Sequence, residues 1–151
     1  MCAAGYSGTP LPDKLGYRDG QAVAFATLPE SLAYLATCRA FRSVEQVADW
    51  RALPPAARDA IHLFTTSAAN LSEALPALRD GITPDGMIWI SWPKKAAGIA
   101  SDVSENLIRD RALADVLVDV KVCAVDAVWS GLKLVVRKLY RSNHINAGAA
   151  A

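Results

Sequence analysis

Two clusters of polar residues in this chain of 151 residues have the types and positions that suit the binding of a small anion. Lys94 and Lys95 directly follow an apolar run and place two ammonium groups at its end. Thr65, Thr66 and Ser67 follow another apolar run and precede a leucine-rich segment. A helix that starts at Ser67 would add backbone N–H donors and a positive partial charge. The clusters therefore predict an anion site; the alternative is that the lysines are solvated loop residues and that Ser67 only caps a helix.

Aromatic and acidic side chains supply further candidates near the ends of the apolar runs. Trp92 and Trp129 would form an aromatic wall for a planar ligand, or would pack at the edge of the core. Trp129 is the better candidate of the two, because a large apolar ring in a predicted hairpin loop needs a reason to be there. Thr27 and Glu30 follow the first apolar run, and Glu30 would serve as a functional acid or would complement the dipole of a short helix.

Metal sites and the commonest hydrolase or NTPase sites are not predicted. His62 lies inside an apolar run, so we expect a buried imidazole that is hydrogen-bonded to a backbone group or a hydroxyl. The other histidine is His144, and Cys2, Cys38 and Cys123 lack the spacing of zinc ligands, so we expect no metal. The chain contains no Gly-x-Ser-x-Gly elbow and no Walker sequence.

The composition is that of an ordinary soluble globular domain. Lys and Arg number 16 against 15 Asp and Glu, and 52% of the residues are hydrophobic. This near-neutral balance argues against nucleic-acid binding, which needs clustered excess cations. No apolar run approaches the roughly 20 residues of a membrane span. The start of the chain lacks the features of a secretory signal, and an odd number of cysteines fits a reducing compartment, so we expect a cytoplasmic protein.

Five segments have the pattern of β-strands. Three are nearly continuous apolar runs, as in a buried parallel sheet: 21–27, 59–66 and 87–92. Two others alternate, 118–125 and 132–137, and the connection between them is too short for a helical crossover, so they must pair antiparallel. In the first of these the alternation predicts one face with Val118, Val120 and Val122, and Cys123 is expected to be a small core residue.

Helices are predicted between these strands. Ser67 caps a helix with leucines on one face, and residues 102–105 open another. A capping box at 43–46 predicts a third helix, which leaves 38–42 as a short second strand, and 84–86 is predicted as a turn.

These elements predict one α/β domain over residues 1–141, with a three-layer Rossmann-like sheet of about six strands. The sheet is mostly parallel and ends in an antiparallel hairpin. Residues 1–20 are predicted to be irregular apart from a helical turn near 12–15, and 142–151 form a flexible tail. We also expect the opening segment to fold over the carboxyl edge of the sheet, with Tyr6 and Lys14 lining a pocket.

Residues 59–139 resemble the C-terminal half of class I S-adenosylmethionine-dependent methyltransferases. The resemblance is carried by the strand that Asp59 opens, the sequence Thr83-Pro-Asp-Gly86, the strand 87–92 and the terminal hairpin. It implies a methyltransferase-like fold with the strand order 2-1-3-4-6-5, in which the sixth strand is antiparallel. That family has a glycine-rich turn after the first strand and an acid on the second, whereas residues 26–31 contain no glycine and Arg42 ends the predicted second strand. We therefore expect no cofactor, and S-adenosylmethionine in particular is not expected to bind.

The chain also resembles a bacterial family of short proteins known only as a domain of unknown function. This resemblance covers most of the chain and implies kinship without an activity. The segments that carry it are 4–11, 14–16, 61–67, 92–95, 119–126 and 129–134.

Two classes of function follow from these patterns. The favoured one is a non-catalytic module that senses a ligand or binds a protein, on a methyltransferase-like scaffold without the glycine-rich turn. The alternative is a divergent enzyme, either a methyltransferase or one that acts on a small anionic or phosphorylated substrate. The expected partner is a small anionic ligand or a protein, and the oligomeric state stays open.

Overall fold

A computed structural model describes residues 9–143. Its centre is one six-stranded sheet in the order β2-β1-β3-β4-β6-β5. The strands are β1 Ala22–Ala26, β2 Ser43–Val47, β3 Arg58–Phe64, β4 Ile82–Pro93, β5 Leu117–Ala124 and β6 Trp129–Val136. The α-helices are α1 Leu11–Leu15, α2 Ala68–Asp80 and α3 Glu105–Ala114, and short 3-10 helices cover Glu30–Thr37, Trp50–Ala52, Lys95–Ala97 and Lys138–Asn143.

The strand order and directions confirm the predicted fold class. Strands β1 to β4 pair in parallel, while β6 runs antiparallel to both β4 and β5. Helices α2 and α3 pack on one face of the sheet, where the predicted leucines of α2 are buried. α1 and the 3-10 helix 30–37 cover the other face with a second apolar cluster. Each face of the central strands is therefore buried, which explains why their sequences read as continuous apolar runs.

The prediction for the second strand was wrong. Ser43–Val47 is β2 and not the start of a helix, and residues 38–42 form no strand. β2 is an edge strand with exposed side chains, so it shows no apolar run, and its Ser-x-x-Gln spacing imitates a helix cap. Two bonds from the Arg58 guanidinium to the Glu45 carboxylate, at 2.5 and 3.1 Å, join this edge to the buried start of β3.

The predicted turn at 84–86 lies inside β4, which begins at Ile82. The pairing of β3 with β4 jumps from Arg58↔Ile82 to Ala60↔Met87, so the extra residues of β4 bulge from the ladder. Gly86 sits in this bulge, where an added Cβ would come within 3.0 Å of the Ile82 side chain and 3.1 Å of backbone oxygens. The bulge therefore needs glycine for the close approach of the backbone.

The predicted apolar face of β5 was also wrong. The pairing of β5 with β6 shifts between Asp119 and Lys121. As a result Val120 and Val122 are 54% and 55% exposed, whereas Cys123 is buried as expected. A bulge of this kind twists an edge strand and discourages further strand pairing.

Helix α1 confirms the helical turn that was predicted near 12–15 in the N-terminal segment. The Lys14 ammonium donates to the carbonyl oxygen of Ala124 at 3.3 Å, and Lys121 donates to the carbonyl of Lys14 at 2.8 Å. These bonds tie α1 to β5, while Tyr6 lies outside the described residues. Among residues 9–143, no helix has the length and apolarity that a membrane crossing requires.

His62 is the polar centre of the core on the α1 face. Its Nδ1 lies 2.8 Å from the hydroxyl oxygen of Tyr17, and its Nε2 lies 2.7 Å from Oγ of Ser91. The ring stacks on Phe64 with centroids 4.2 Å apart. All three polar residues are buried, and burial lowers the pKa of His62 from 6.5 to about 3. This confirms the expected buried histidine bonded to a hydroxyl, and it makes the neutral imidazole a requirement of the fold.

We expect the stability of the fold to depend on pH, because the buried His62 must be neutral. Because the pKa of His62 is about 3 in the folded chain and 6.5 ordinarily, the unfolded chain binds the proton more readily between these values. The contribution of His62 to the free energy of unfolding is complete above pH 6.5. It is lost as the pH falls towards 3, by up to ~1.4 kcal/mol per pH unit. Urea unfolding from pH 7 to pH 4 should show a shallower loss for His62→Gln than for the wild type. His144→Gln is the control, and equal slopes for His62→Gln and the wild type would refute the assignment.

Candidate functional site

A cleft of about 540 Å³ opens at the carboxyl ends of β1 and β2. Its walls come from the turn after β1 and from the end of β2, and the lining residues are Thr27, Leu28, Pro29, Gln46, Val47 and Ala48. From β1 the chain continues to β2 on one side and then crosses to β3 on the other side, so the strand order reverses between β1 and β3. In open α/β sheets, ligands bind in the crevice beyond the strand ends at such a switch point. The cleft adjoins this point on the β2 side of β1.

The backbone of Thr27 shapes this cleft. Its φ of 61° lies in the left-handed region, and it is the single non-glycine residue among residues 9–143 with a positive φ. The Thr27 N–H donates to the Val47 carbonyl at 2.9 Å, and the hydroxyl donates to the Ala48 carbonyl at 3.4 Å. A β-branched residue in this region costs about 1–3 kcal/mol. The turn therefore follows a backbone path that favours glycine, although it contains none.

An acid follows the second strand, contrary to our expectation, and comes directly after the cleft residue Ala48 in the chain. β2 ends at Val47, and Asp49 follows two residues later. The Asp49 carboxylate caps the next 3-10 helix by accepting the Arg51 N–H at 2.9 Å, and it pairs with the Arg51 guanidinium at 3.3 Å. Its side chain remains 56% exposed. Sequence reasoning missed this acid because it placed the second strand too early in the chain.

The threonine and serine cluster at the end of β3 is tied into the chain's own network. Thr65 Oγ1 accepts bonds from the Ser67 N–H at 3.2 Å and from the Asn70 amide at 3.0 Å. The Asn70 amide oxygen in turn accepts from the Trp50 indole at 2.9 Å. Thr65 is buried and Thr66 is exposed, so the cluster presents fewer free hydroxyls than its sequence suggests.

The start of α2 already holds a carboxylate of the same chain. Ser67 caps the helix by accepting the Asn70 N–H at 3.1 Å, and Asp102 accepts the Ala68 N–H at 2.7 Å. The Asp102 N–H also donates to the Thr66 carbonyl at 3.3 Å. The Asp102 carboxylate therefore takes up one N–H group of the helix start where the sequence predicts anion binding, and binding of an external anion there stays a prediction. The two residues are 34 positions apart, so no local sequence pattern indicates this contact.

The two lysines after β4 do not act as a pair. The Lys94 ammonium donates to the Asp126 carbonyl at 2.7 Å, and the backbone N–H of Lys94 donates to the Val128 carbonyl at 2.8 Å. Lys95 is exposed at the start of a 3-10 helix. Lys94 thus braces the β5–β6 connection, and anion binding by these lysines stays a prediction.

The remaining candidates are spread over the sheet. Trp92 belongs to the core beneath α2 and α3, whereas Trp129 packs against the opposite core, with its ring edge-on to Phe64 at 5.3 Å. The two indoles therefore lie on opposite faces and form no common wall. Glu30 is exposed at the first residue of the 3-10 helix after the cleft.

Solved methyltransferases share this fold at low sequence identity. Magnesium protoporphyrin IX methyltransferase from Synechocystis PCC 6803 with bound S-adenosylhomocysteine aligns with a TM-score of 0.58 at 15% identity, over 82% of this chain and 78% of that one. The same enzyme with bound S-adenosylmethionine gives 0.60 at 14% identity, over 83% and 74%. Mitomycin 7-O-methyltransferase gives 0.61 at 10% identity over 77% of this chain, which spans only 49% of that enzyme.

Comparisons of sequence add no family. No family model matches the chain, and no curated protein matches it significantly. The kinship with short bacterial proteins of unknown function therefore stays a prediction. The methyltransferase-like fold is established by structure alone.

The expectation that S-adenosylmethionine has no place in this fold was wrong. Two of the similar structures hold this cofactor or its demethylated product. The steric argument behind the expectation also fails, because Leu28 and Pro29 line the cleft at the end of β1 and do not fill it.

We expect the left-handed backbone at position 27 to lower the stability of the fold when the residue there is not glycine. Thr27→Gly should be more stable than Thr27→Ala by about 1 kcal/mol, since both lose the hydroxyl but only glycine removes the left-handed strain. Urea denaturation measures the difference. At Thr37, which ends a 3-10 helix, the order should reverse. An alanine variant at 27 as stable as the glycine variant would contradict the strain.

Proposed function

We propose that this chain is a divergent methyltransferase-like protein that binds S-adenosylmethionine in the cleft between β1 and β2. The observation that carries the proposal is the left-handed Thr27 in that cleft, which keeps a glycine-like turn at the end of β1, one of the two strands that flank the switch point of the sheet. Strained backbone of this kind concentrates at functional sites. The similar structures that hold this cofactor support the proposal.

The residues around the cleft suit such a molecule. Its volume of about 540 Å³ lies within the range of about 300–1,000 Å³ of small-molecule sites. Leu28, Pro29 and Val47 supply apolar surface for an adenine ring. Asp49 follows Thr27 by about the separation at which dinucleotide-binding folds place the acid for ribose hydroxyls. When bound, the cofactor would supply an electrophilic methyl group on a sulfonium.

An enzyme is therefore preferred to the non-catalytic module. The case for a non-catalytic module depended on the glycine-free turn at 27–31 and on the absence of a recognisable catalytic constellation. The open cleft removes the first reason, and Asp49 adds an acid after the second strand. Methyl transfer to an acceptor is the activity that this geometry supports best.

Calorimetric titration with S-adenosylmethionine and S-adenosylhomocysteine tests the proposal. We expect saturable binding of both, with the affinity reduced about tenfold or more in Asp49→Asn, because a charged acceptor for hydroxyl groups is lost. Asparagine caps helices as well as aspartate does, so the fold should persist.

Asp110→Asn, on the exposed side of α3, is the matched control and should bind like the wild type. Absence of binding in the millimolar range by the folded wild type would refute the cofactor. Equal affinity in Asp49→Asn and the wild type would refute the assigned acid.

A further inference from the structure

Three cations gather on the α1 face of the sheet, away from the proposed cofactor cleft. Lys121 and Lys133 are directly opposite each other on β5 and β6. Burial, followed by the charges of Lys121 and Arg18, lowers the pKa of Lys133. Like charges in facing positions destabilise a strand pair. The fold thus holds an unfavourable arrangement that an anion would relieve.

In the described part of the chain, these cations form no ion pair with a carboxylate. Within residues 9–143, the ion pairs to carboxylates are made by other side chains, those of Arg39, Arg42, Arg51, Arg58, Arg79 and Arg109. Lys121 donates only to a backbone carbonyl, that of Lys14.

A polar cavity of about 270 Å³ adjoins this cluster. Arg18 and Lys133 line it together with Gln21, Asp59 and Asp85. The cavity lies at the amino ends of β1, β3 and β4, opposite the end that carries the cleft. The Asp59 carboxylate accepts the Ala22 N–H at 2.8 Å and pairs with Arg42 at 3.4 Å, so it is already engaged.

We propose that this cavity binds the phosphate group of a small molecule, or free phosphate, through Arg18 and Lys133, with Lys121 adding positive potential. Asp59 is already paired with Arg42, so the charges of Arg18, Lys121 and Lys133 exceed the one remaining carboxylate, that of Asp85, by two. A dianion balances this excess, and a guanidinium matches phosphate geometry. The oxygens of Asp59 and Asp85 would accept bonds from hydroxyl groups of the same small molecule.

Thermal unfolding with increasing inorganic phosphate, at ionic strength held constant with NaCl, tests the site. We expect a saturable rise in melting temperature for the wild type. Lys133→Gln should be at least as stable as the wild type without phosphate, since like-charge repulsion is relieved, but should bind phosphate at least tenfold more weakly. Arg18→Gln should lose affinity similarly. Lys138→Gln, an exposed lysine outside the cavity, should respond like the wild type.

The outcomes separate the possible ligands. Tighter binding of glycerol phosphate than of inorganic phosphate supports the proposal with a phosphorylated small molecule as ligand, and the reverse order supports it with free phosphate. A response that never saturates, or that is unchanged in Lys133→Gln, overturns the proposal. A short single-stranded RNA that binds more tightly than either phosphate, and that needs Lys133, also overturns it in favour of nucleic acid.

Discussion

The turn after β1 and the cleft beside it depend on the hydrogen bonds that join β1 to parallel neighbours on both sides. All five of its residues are buried, and its end is aligned with both Val47 of β2 and Leu63 of β3. A buried backbone must satisfy every N–H and carbonyl, so the chain can turn only beyond the last ladder bond. That bond is the one from the Thr27 N–H to Val47. The sharp turn, its left-handed residue and the cleft beside it all follow from this constraint.

Charged side chains hold loops and a helix start in the places where the sequence predicts ligand binding. Asp102 holds the start of α2, and the Lys94 ammonium holds the carbonyl of Asp126. Asp126 in turn accepts the N–H groups of Val128 and Trp129 through its side chain. These bonds fix loops beyond the strand ends, where irregular backbone would otherwise depend on water. The same residue types that bind an anion also brace loops, and only the partner distinguishes the two roles.

The buried strands and the terminal hairpin could be predicted because burial on one or both faces leaves a pattern in the sequence. β2 could not, because an edge strand without a buried face has no such pattern and its serine resembles a helix cap. Asp49 was missed for that reason alone. The bulge at Val120 shifts the alternation of β5 and depends on its partner strand. The hydrogen bond from the Lys94 ammonium to the Asp126 carbonyl joins residues 32 positions apart, so no local spacing in the sequence indicates it.

The two ends of the sheet share one energetic feature. At the carboxyl end Thr27 keeps a backbone conformation that costs about 1–3 kcal/mol, and at the amino end a facing lysine pair costs roughly 0.2–1 kcal/mol. The fold needs the turn at position 27 but not the cost of threonine there, because glycine would make the same turn without strain, and a neutral side chain would remove the repulsion between the lysines. The Thr27 hydroxyl gains only a long bond of 3.4 Å to the Ala48 carbonyl. Among the described residues, no carboxylate forms an ion pair with Lys133. Energetically unfavourable residues that packing does not explain are expected at sites that bind another molecule.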